Sequence, residues 1–373
     1  TLPKEENMIR YFKKAIPLSI LATGIIASAS IADTFTLRVG SGHPSKPTAY
    51  VTNMEKVLVP NIKKRVAAET SHKVRIIEAY AGKIAKVHET LEAVEKGLLD
   101  IGSYCVCFET AKLLPWNFDY FVPFTTTNLE TNWAVKHKIL KQFPQLTKML
   151  EDKYNQKFIA MQGFDDYGLG TVKQWNKASE LKGVKVIAAG PNLPWVSLFG
   201  SIPVTSTLPT MYNDLATGVA KGVIIFPSAH AGGFKFYEQA PYWKVIGFGA
   251  MAQTITTINL DTMKKLPPEI VKIIMEEAVN YEKAAVKDGQ QRYQKGLTDL
   301  VKLGKKKGIN DAVTYLPVSE QKIWAETIKD WPNSRAKDIT KDYGMDGAAL
   351  MNAYMDEMEK TGHKFPVRFK IGG

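Results

Sequence analysis

The sequence predicts an α/β fold in two lobes, with one long helix bridging both. Three patterns carry that expectation. Between Ser179 and Pro227, short apolar runs alternate with short amphipathic ones, the strand–helix rhythm of a parallel sheet whose ligand-side loops follow its strands. Residues 34–104 show the same rhythm. After Pro267-Pro268-Glu269, apolar residues from Ile270 to Leu303 recur at helical spacing. At ~1.5 Å per residue that helix exceeds ~50 Å, longer than one small domain is wide. It is expected to be a shared spine, with a break near Gly289 as the alternative.

The elements follow in order. Residues 34–39 alternate as a strand, and Gly40-Ser41-Gly42-His43-Pro44 forms a tight loop before a helix over 48–70. Residues 73–80 are the second strand. Ala81-Gly82 turns into a helix over 83–96, closed by Gly97, and residues 99–104 are the third strand. The loops at 40–44, 80–83 and 102–105 lie on the ligand side. Trp116, Phe118, Tyr120, Phe121 and Phe124 make an aromatic passage, expected as core and hinge packing with one or two rings left for a ligand.

A helix over 129–150 leads to a strand at 158–164 that crosses to the second lobe, which Asp165-Asp166-Tyr167-Gly168 opens. Strands are expected at 184–188, 202–204 and 221–226, with helices over 194–200 and 209–217. Residues 243–248 and 252–260 are strands again, the latter returning to the first lobe. Residues 318–360 read as short helices separated at Pro332-Asn333-Ser334 and at Gly344. The expected division is 33–162 plus 252–285 for the first lobe and 163–251 plus 286–373 for the second.

The 373 residues are 45% hydrophobic and 23% charged, a soluble globular composition. Residues 1–32 read as an N-terminal extension and signal peptide. Arg10, Lys13 and Lys14 precede an apolar stretch over 16–29, and Ser30-Ile31-Ala32 offers a cleavage site. That predicts export to the periplasm. The formal charge is +12, with the lysines scattered apart from Lys305-Lys306-Lys307. This suits solvation or attraction of anionic solutes rather than nucleic acid. Cys105 and Cys107 are the two cysteines. On a strand they share a face, where a bridge two residues apart would be strained. They read as two buried strand cysteines, with no disulfide framework and no zinc spacing.

No nucleophile elbow, Walker loop or dinucleotide fingerprint is present. The six histidines show no i, i+4 pair, so neither metal nor cofactor is expected. Asp165-Asp166 reads as a solvated turn, with a cation or amine site as the lesser alternative.

An ordered set of boxes carries a family resemblance. It comprises Leu37-Arg38-Val39-Gly40, Leu91-Glu92-Ala93-Val94 through Asp100-Ile101-Gly102, and Leu181-Lys182-Gly183-Val184-Lys185-Val186. Gly200-Ser201-Ile202-Pro203-Val204, Met211-Tyr212 through Gly222, and Phe236-Tyr237-Glu238 complete it. Together they resemble the periplasmic solute-binding subunit of TRAP (tripartite ATP-independent) transporters, the DctP family. The resemblance implies a class II-like periplasmic binding protein with a cleft that closes on one solute. It also implies membrane permease subunits as partners and a place in the periplasm; a monomer is expected rather than a dimer, and no enzymatic activity.

The departures from the family pattern bear on the solute. Where the resemblance implies a carboxylate-pairing arginine, this chain has Ile187. A second arginine position falls at Tyr167, an acidic one at Cys105, and an asparagine at Ile225. A buried cleft without a guanidinium compensates poorly for desolvating a carboxylate. The expectation is therefore a less polar solute, aromatic or alkyl with one hydrogen-bonding head. Tyr167, Trp195 and Phe226 would supply stacking surface, and Lys86, Asp165 or His43 would meet the head. Trp116 and Tyr212 complete the candidate set, and Trp195 reads equally as lobe core. The rivals are an organic-acid receptor with a non-standard clamp, a sensor or scaffold with a degenerate cleft, and an exported enzyme without recognisable motifs.

Overall fold

The computed structural model describes residues 33–188 and 190–372. The signal peptide expected over 1–32 lies outside the described residues. The first sheet begins with β1 (Thr34–Gly40), α1 (Ala49–Asn53), a π-helical stretch (Met54–Leu58) and α2 (Val59–Glu69). These three helical pieces together form the helix expected at 48–70. β2 (Lys73–Ala79), α3 (Thr90–Glu95) and β3 (Ile101–Cys105) follow, then α4 (Leu129–Gln142), α5 (Gln145–Tyr154) and β4 (Gln156–Phe164).

Two expectations fail here for local reasons. The helix predicted over 83–96 is helical only from Thr90, because the chain before it packs against the β1 loop. A Cβ on Gly42 would fall 2.4 Å from the Val87 nitrogen. The helix predicted over 129–150 is split at Pro144, which cannot continue the α4 ladder and starts α5 instead.

The second lobe holds β5 (Gly168–Thr171), β6 (Lys185–Ala188), α6 (Pro194–Ser197), β7 (Ile202–Thr205), α7 (Leu208–Ala216), β8 (Gly222–Ile225), α8 (Pro227–Ala231) and β9 (Tyr242–Val245). β10 (Met251–Asn259) returns to the first sheet and is followed by α9 (Leu260–Lys265) and α10 (Pro268–Lys306). β11 (Val313–Tyr315), α11 (Val318–Thr327), α12 (Asp330–Tyr343) and α13 (Gly347–Glu359) end the chain. Pro332 does not separate two helices as expected. It sits in the first turn of α12, where no ladder donor is needed.

The strands form two sheets, ordered β2-β1-β3-β10-β4 and β11-β9-β5-β8-β6-β7. β6 pairs in parallel with both β7 and β8, as the strand–helix rhythm predicts, whereas β5 runs antiparallel to β8 and β9. Two crossings join the sheets, at 165–167 and 246–250. They are tied together: the Asp166 carboxylate accepts from the Gly249 N–H at 2.9 Å, and the Tyr167 N–H donates to the Gly249 carbonyl at 3.2 Å.

α10 is unbroken over 39 residues and packs on α1 and β4 of the first lobe and on α8 and β11 of the second. Gly289 does not break it. It makes room for α4, since a Cβ there would lie 2.8 Å from Leu129 Cδ2. The helix surface is pinned to the first lobe by polar pairs: Asn53 donates to Asp288, and Asn61 and Arg65 donate to Glu277. α13 packs on α4, and the Tyr354 hydroxyl accepts from Asn132 at 2.8 Å.

The cysteines are a correction. Cys105 and Cys107 are joined in a disulfide. β3 ends at Cys105 and the chain turns at once into a 3₁₀ turn, Val106–Glu109. That brings the two Cα atoms to 5.1 Å, inside the usual disulfide span. The strand assumed in the sequence reading ends two residues too early to hold them apart.

Candidate functional site

The candidate site lies where loops of both lobes meet beside the crossings. The first lobe contributes His43 after β1 and Cys107 and Phe108 after β3. Phe164, at the end of β4, and Tyr167 come from the crossing. The second lobe contributes Leu208 and Met211 of α7, Ile224 and Ile225 of β8, and Phe226. These residues surround a cavity of about 10 Å³, room for about one water. Phe226 precedes a proline that starts α8, which holds it extended at φ −99°, ψ 148°. Its ring stacks on Phe164, centroids 4.7 Å apart, and meets Tyr167 edge-on at 5.8 Å. Among the described residues, no lysine, arginine, aspartate or glutamate lines this cavity.

His43 is the polar exception. Its ring packs edge-on against Phe108 and Phe164. Nδ1 lies 2.5 Å from the Tyr50 hydroxyl, and Nε2 has no hydrogen-bond partner although the residue is 2% exposed. Burial, with the neighbouring His88 adding to it, pushes its pKa down to about 4, so the imidazole is neutral.

A wider cleft of about 520 Å³ adjoins this cavity and shares Cys107 and Phe108 with it. Five of its lining residues carry hydroxyls, Thr110 on the first lobe and Thr205, Ser206, Thr207 and Thr210 on the second. Asp214 there accepts from the Ser206 hydroxyl at 2.7 Å. The lobes approach closely across it, for a Cβ on Gly190 would lie 2.9 Å from the Cys107 carbonyl oxygen.

Of the expected site residues, His43, Tyr167, Ile225 and Phe226 come together at the cavity. Cys105 lies one layer behind, in the wall shared by His43, Tyr50 and Phe108. The others are elsewhere. Trp116 is buried in the first lobe and donates to the Leu146 carbonyl. Trp195 is buried in the second, donating to the Tyr120 carbonyl and packing on Phe248 at 4.7 Å, which is the lobe-core alternative. Ile187 is buried in β6, in register with Val204 and Val223. Tyr212 donates to Glu238, and Lys86 is exposed, its N–H donating to the Glu89 carboxylate.

Asp165 and Asp166 do not form a solvated turn. Both are buried in the crossing. Asp165 accepts from the Ser228 N–H and hydroxyl, and Asp166 from Gly249 and, at 3.5 Å, from the Tyr293 hydroxyl. Burial pushes both carboxyls up to about 7.

Phe108, Phe164, Leu208 and Met211 line the cavity without having been singled out. The signal available was position. Phe164 ends the crossing strand, Phe108 follows the third strand, and Leu208-Pro209 opens the helix after β7.

Comparison with known proteins decides the family. The model for DctP, bacterial extracellular solute-binding protein family 7, matches residues 49–325. The chain belongs to the DctP family. The TRAP resemblance read from the sequence boxes therefore holds. Solved structures share the DctP fold. A TRAP solute-binding protein from Rhodoferax ferrireducens, in complex with copurified benzoate, is 18% identical, with a TM-score of 0.73 over 88% of this chain and 98% of that one. A Bordetella pertussis extracytoplasmic solute receptor binding pyroglutamic acid is 19% identical, with a TM-score of 0.69 over 86% and 99%. The periplasmic ectoine-binding protein of a Halomonas elongata TRAP transporter is 16% identical, with a TM-score of 0.69 over 87% and 99%. No curated protein matches the chain. Members of the family are extracellular solute-binding proteins, and no helix among the described residues is long and apolar enough to cross a membrane.

Proposed function

We propose that this DctP-family chain is a periplasmic receptor for a small organic solute of low polarity. It acts as a monomer without catalysis, and delivers its guest to TRAP membrane permease subunits. The observation that carries the reading is the apolar cavity between the lobes, with Phe164 and Phe226 stacked across it and no charged side chain in its lining. A carboxylate placed there would lose its hydration with no cation to replace it. An aromatic or alkyl body would gain roughly 25 cal/mol for each Å² it removes from water.

The mechanism is a population shift. A solute that touches both lobes binds the closed state better than the open one, and moves the equilibrium only by that difference. The two crossings, joined through Asp166 and Gly249, are where the backbone would flex, and α10 would hold the lobes in register. The Rhodoferax relative's benzoate shares the aromatic body but carries a carboxylate, the head group that this lining does not compensate.

A thermal-shift panel tests the reading. Neutral aromatic and alkyl solutes are expected to raise the midpoint, and C4-dicarboxylates and sugar acids to leave it unmoved. Stabilisation by the dicarboxylates alone would reject the low-polarity cleft. A solute returned chemically altered would reject the non-catalytic assignment.

A further inference from the structure

Within the low-polarity reading, on which this inference rests, one buried polar atom stands out. His43 Nε2 is buried and unpartnered, on a ring that lines the apolar cavity. What it can offer a solute depends on which ring nitrogen carries the proton, and the neighbours decide that.

Tyr50 is fully buried, and burial holds its phenol well above the ordinary range, so it keeps its single proton. That proton has two possible acceptors: His43 Nδ1 at 2.5 Å and Ser41 Oγ at 3.4 Å. The shorter contact is the stronger one. Ser41 Oγ already accepts the His43 backbone N–H at 3.2 Å, which leaves its own proton to point at the phenol oxygen. The relay that puts the Tyr50 proton in the shorter contact runs from the Ser41 hydroxyl to Tyr50 and from the Tyr50 hydroxyl to Nδ1; the opposite tautomer would reverse both bonds. A neutral imidazole that accepts at Nδ1 carries its proton on Nε2.

We infer that His43 Nε2–H, fixed in that tautomer by Tyr50 and Ser41, is the specificity-determining donor of the cleft, selecting a neutral solute whose apolar body carries a hydrogen-bond acceptor such as a ketone, ester or amide carbonyl. A buried donor without an acceptor is costly, so a guest that supplies one is favoured over an isostere that does not. The same site penalises a guest whose head is a donor only, because two N–H groups would face each other.

Two measurements on the intact chain test this. In the first, long-range ¹H–¹⁵N NMR reads the His43 tautomer at neutral pH, with His43→Gln assigning the signal. A protonated Nε2 is expected, and a bare Nε2 would overturn the inference whatever binds. In the second, acetophenone, ethylbenzene, aniline and succinate are titrated in turn. Acetophenone is expected to bind at least ~10-fold more tightly than ethylbenzene or aniline, a ratio that His43→Leu brings toward one. Equal binding of ethylbenzene, or tighter binding of aniline, would overturn the donor role while leaving the low-polarity reading in place. Binding of succinate alone would overturn that reading itself.

Discussion

Phe164 and Phe226 stack with centroids 4.7 Å apart and planes inclined by 13°, although one ends a strand of the first sheet and the other follows a strand of the second. Both line the apolar cavity, and in the proposed reading a guest parts them. A Phe226→Ala variant should therefore lose guest affinity by tenfold or more. Phe226 is 3% exposed here; if opening of the cleft exposes the ring, the variant's own stability should fall by less than the ~3–5 kcal/mol typical of a core phenylalanine. Calorimetric titration and chemical denaturation of the same variant check both halves.

The pair Lys136 and Asp119 is wholly buried, with the ammonium 3.1 Å from the carboxylate and also bonded to the Ala252 carbonyl at 2.8 Å. Burial lowers the lysine pKa and raises that of the aspartate, while each partner opposes the other's shift. Lys136→Met would strand a buried carboxylate and should cost ~3–5 kcal/mol. The double variant Lys136→Met with Asp119→Asn should recover part of that loss. Urea unfolding midpoints decide it.

The crossing carboxyls give a pH dependence with a defined sign. Asp165 and Asp166 are raised from 3.8 to about 7 in the folded chain, so the folded state holds their protons more tightly than the unfolded one. Their contribution is fully present below pH ~4 and is lost as pH rises through ~7. His43 and His230, lowered to about 4, act oppositely, their contribution being lost as pH falls from ~6.5 through ~4. The comparison must therefore be made within one pair of proteins. Asp166→Asn should be more stable than the parent at pH 8, and the advantage should shrink or reverse at pH 5.

Reduction of the disulfide should matter more to the cleft than to the fold. A bridge two residues apart removes little chain entropy from the unfolded state, less than the ~2–4 kcal/mol of ordinary disulfides. Cys107 and Phe108, however, line both the cavity and the outer cleft. Dithiothreitol is expected to shift the melting midpoint by only a few degrees while altering guest affinity several-fold. A collapse of the fold on reduction would contradict this.

Much of the fold was legible because its signals are periodic. The spine helix, the two crossing strands and the strand–helix alternation of the second lobe all follow from apolar spacing. What escaped were features set by contacts rather than period. Gly42 against Val87 shortens α3, the four residues of β5 are half glycine and gain their strand only by pairing, and the turn after Cys105 makes a disulfide possible. The cleft was half legible for a related reason. An apolar lining reads like core, so Phe164 and Met211 passed unnoticed while Trp116 and Trp195, which are core, drew attention. His43 stood out because a histidine in a ligand-side loop is chemically conspicuous wherever it lies.

In the proposed reading a guest of low polarity parts Phe164 and Phe226 and is gripped between them. A crystal structure of the chain with its tightest neutral aromatic solute is the decisive test. The ring of the guest is expected in van der Waals contact with Phe164, Phe226 and Met211, its acceptor within ~3 Å of His43 Nε2. A guest held instead by the hydroxyls of Thr205, Ser206 and Thr210 in the outer cleft, with the two phenylalanines still stacked, would contradict it.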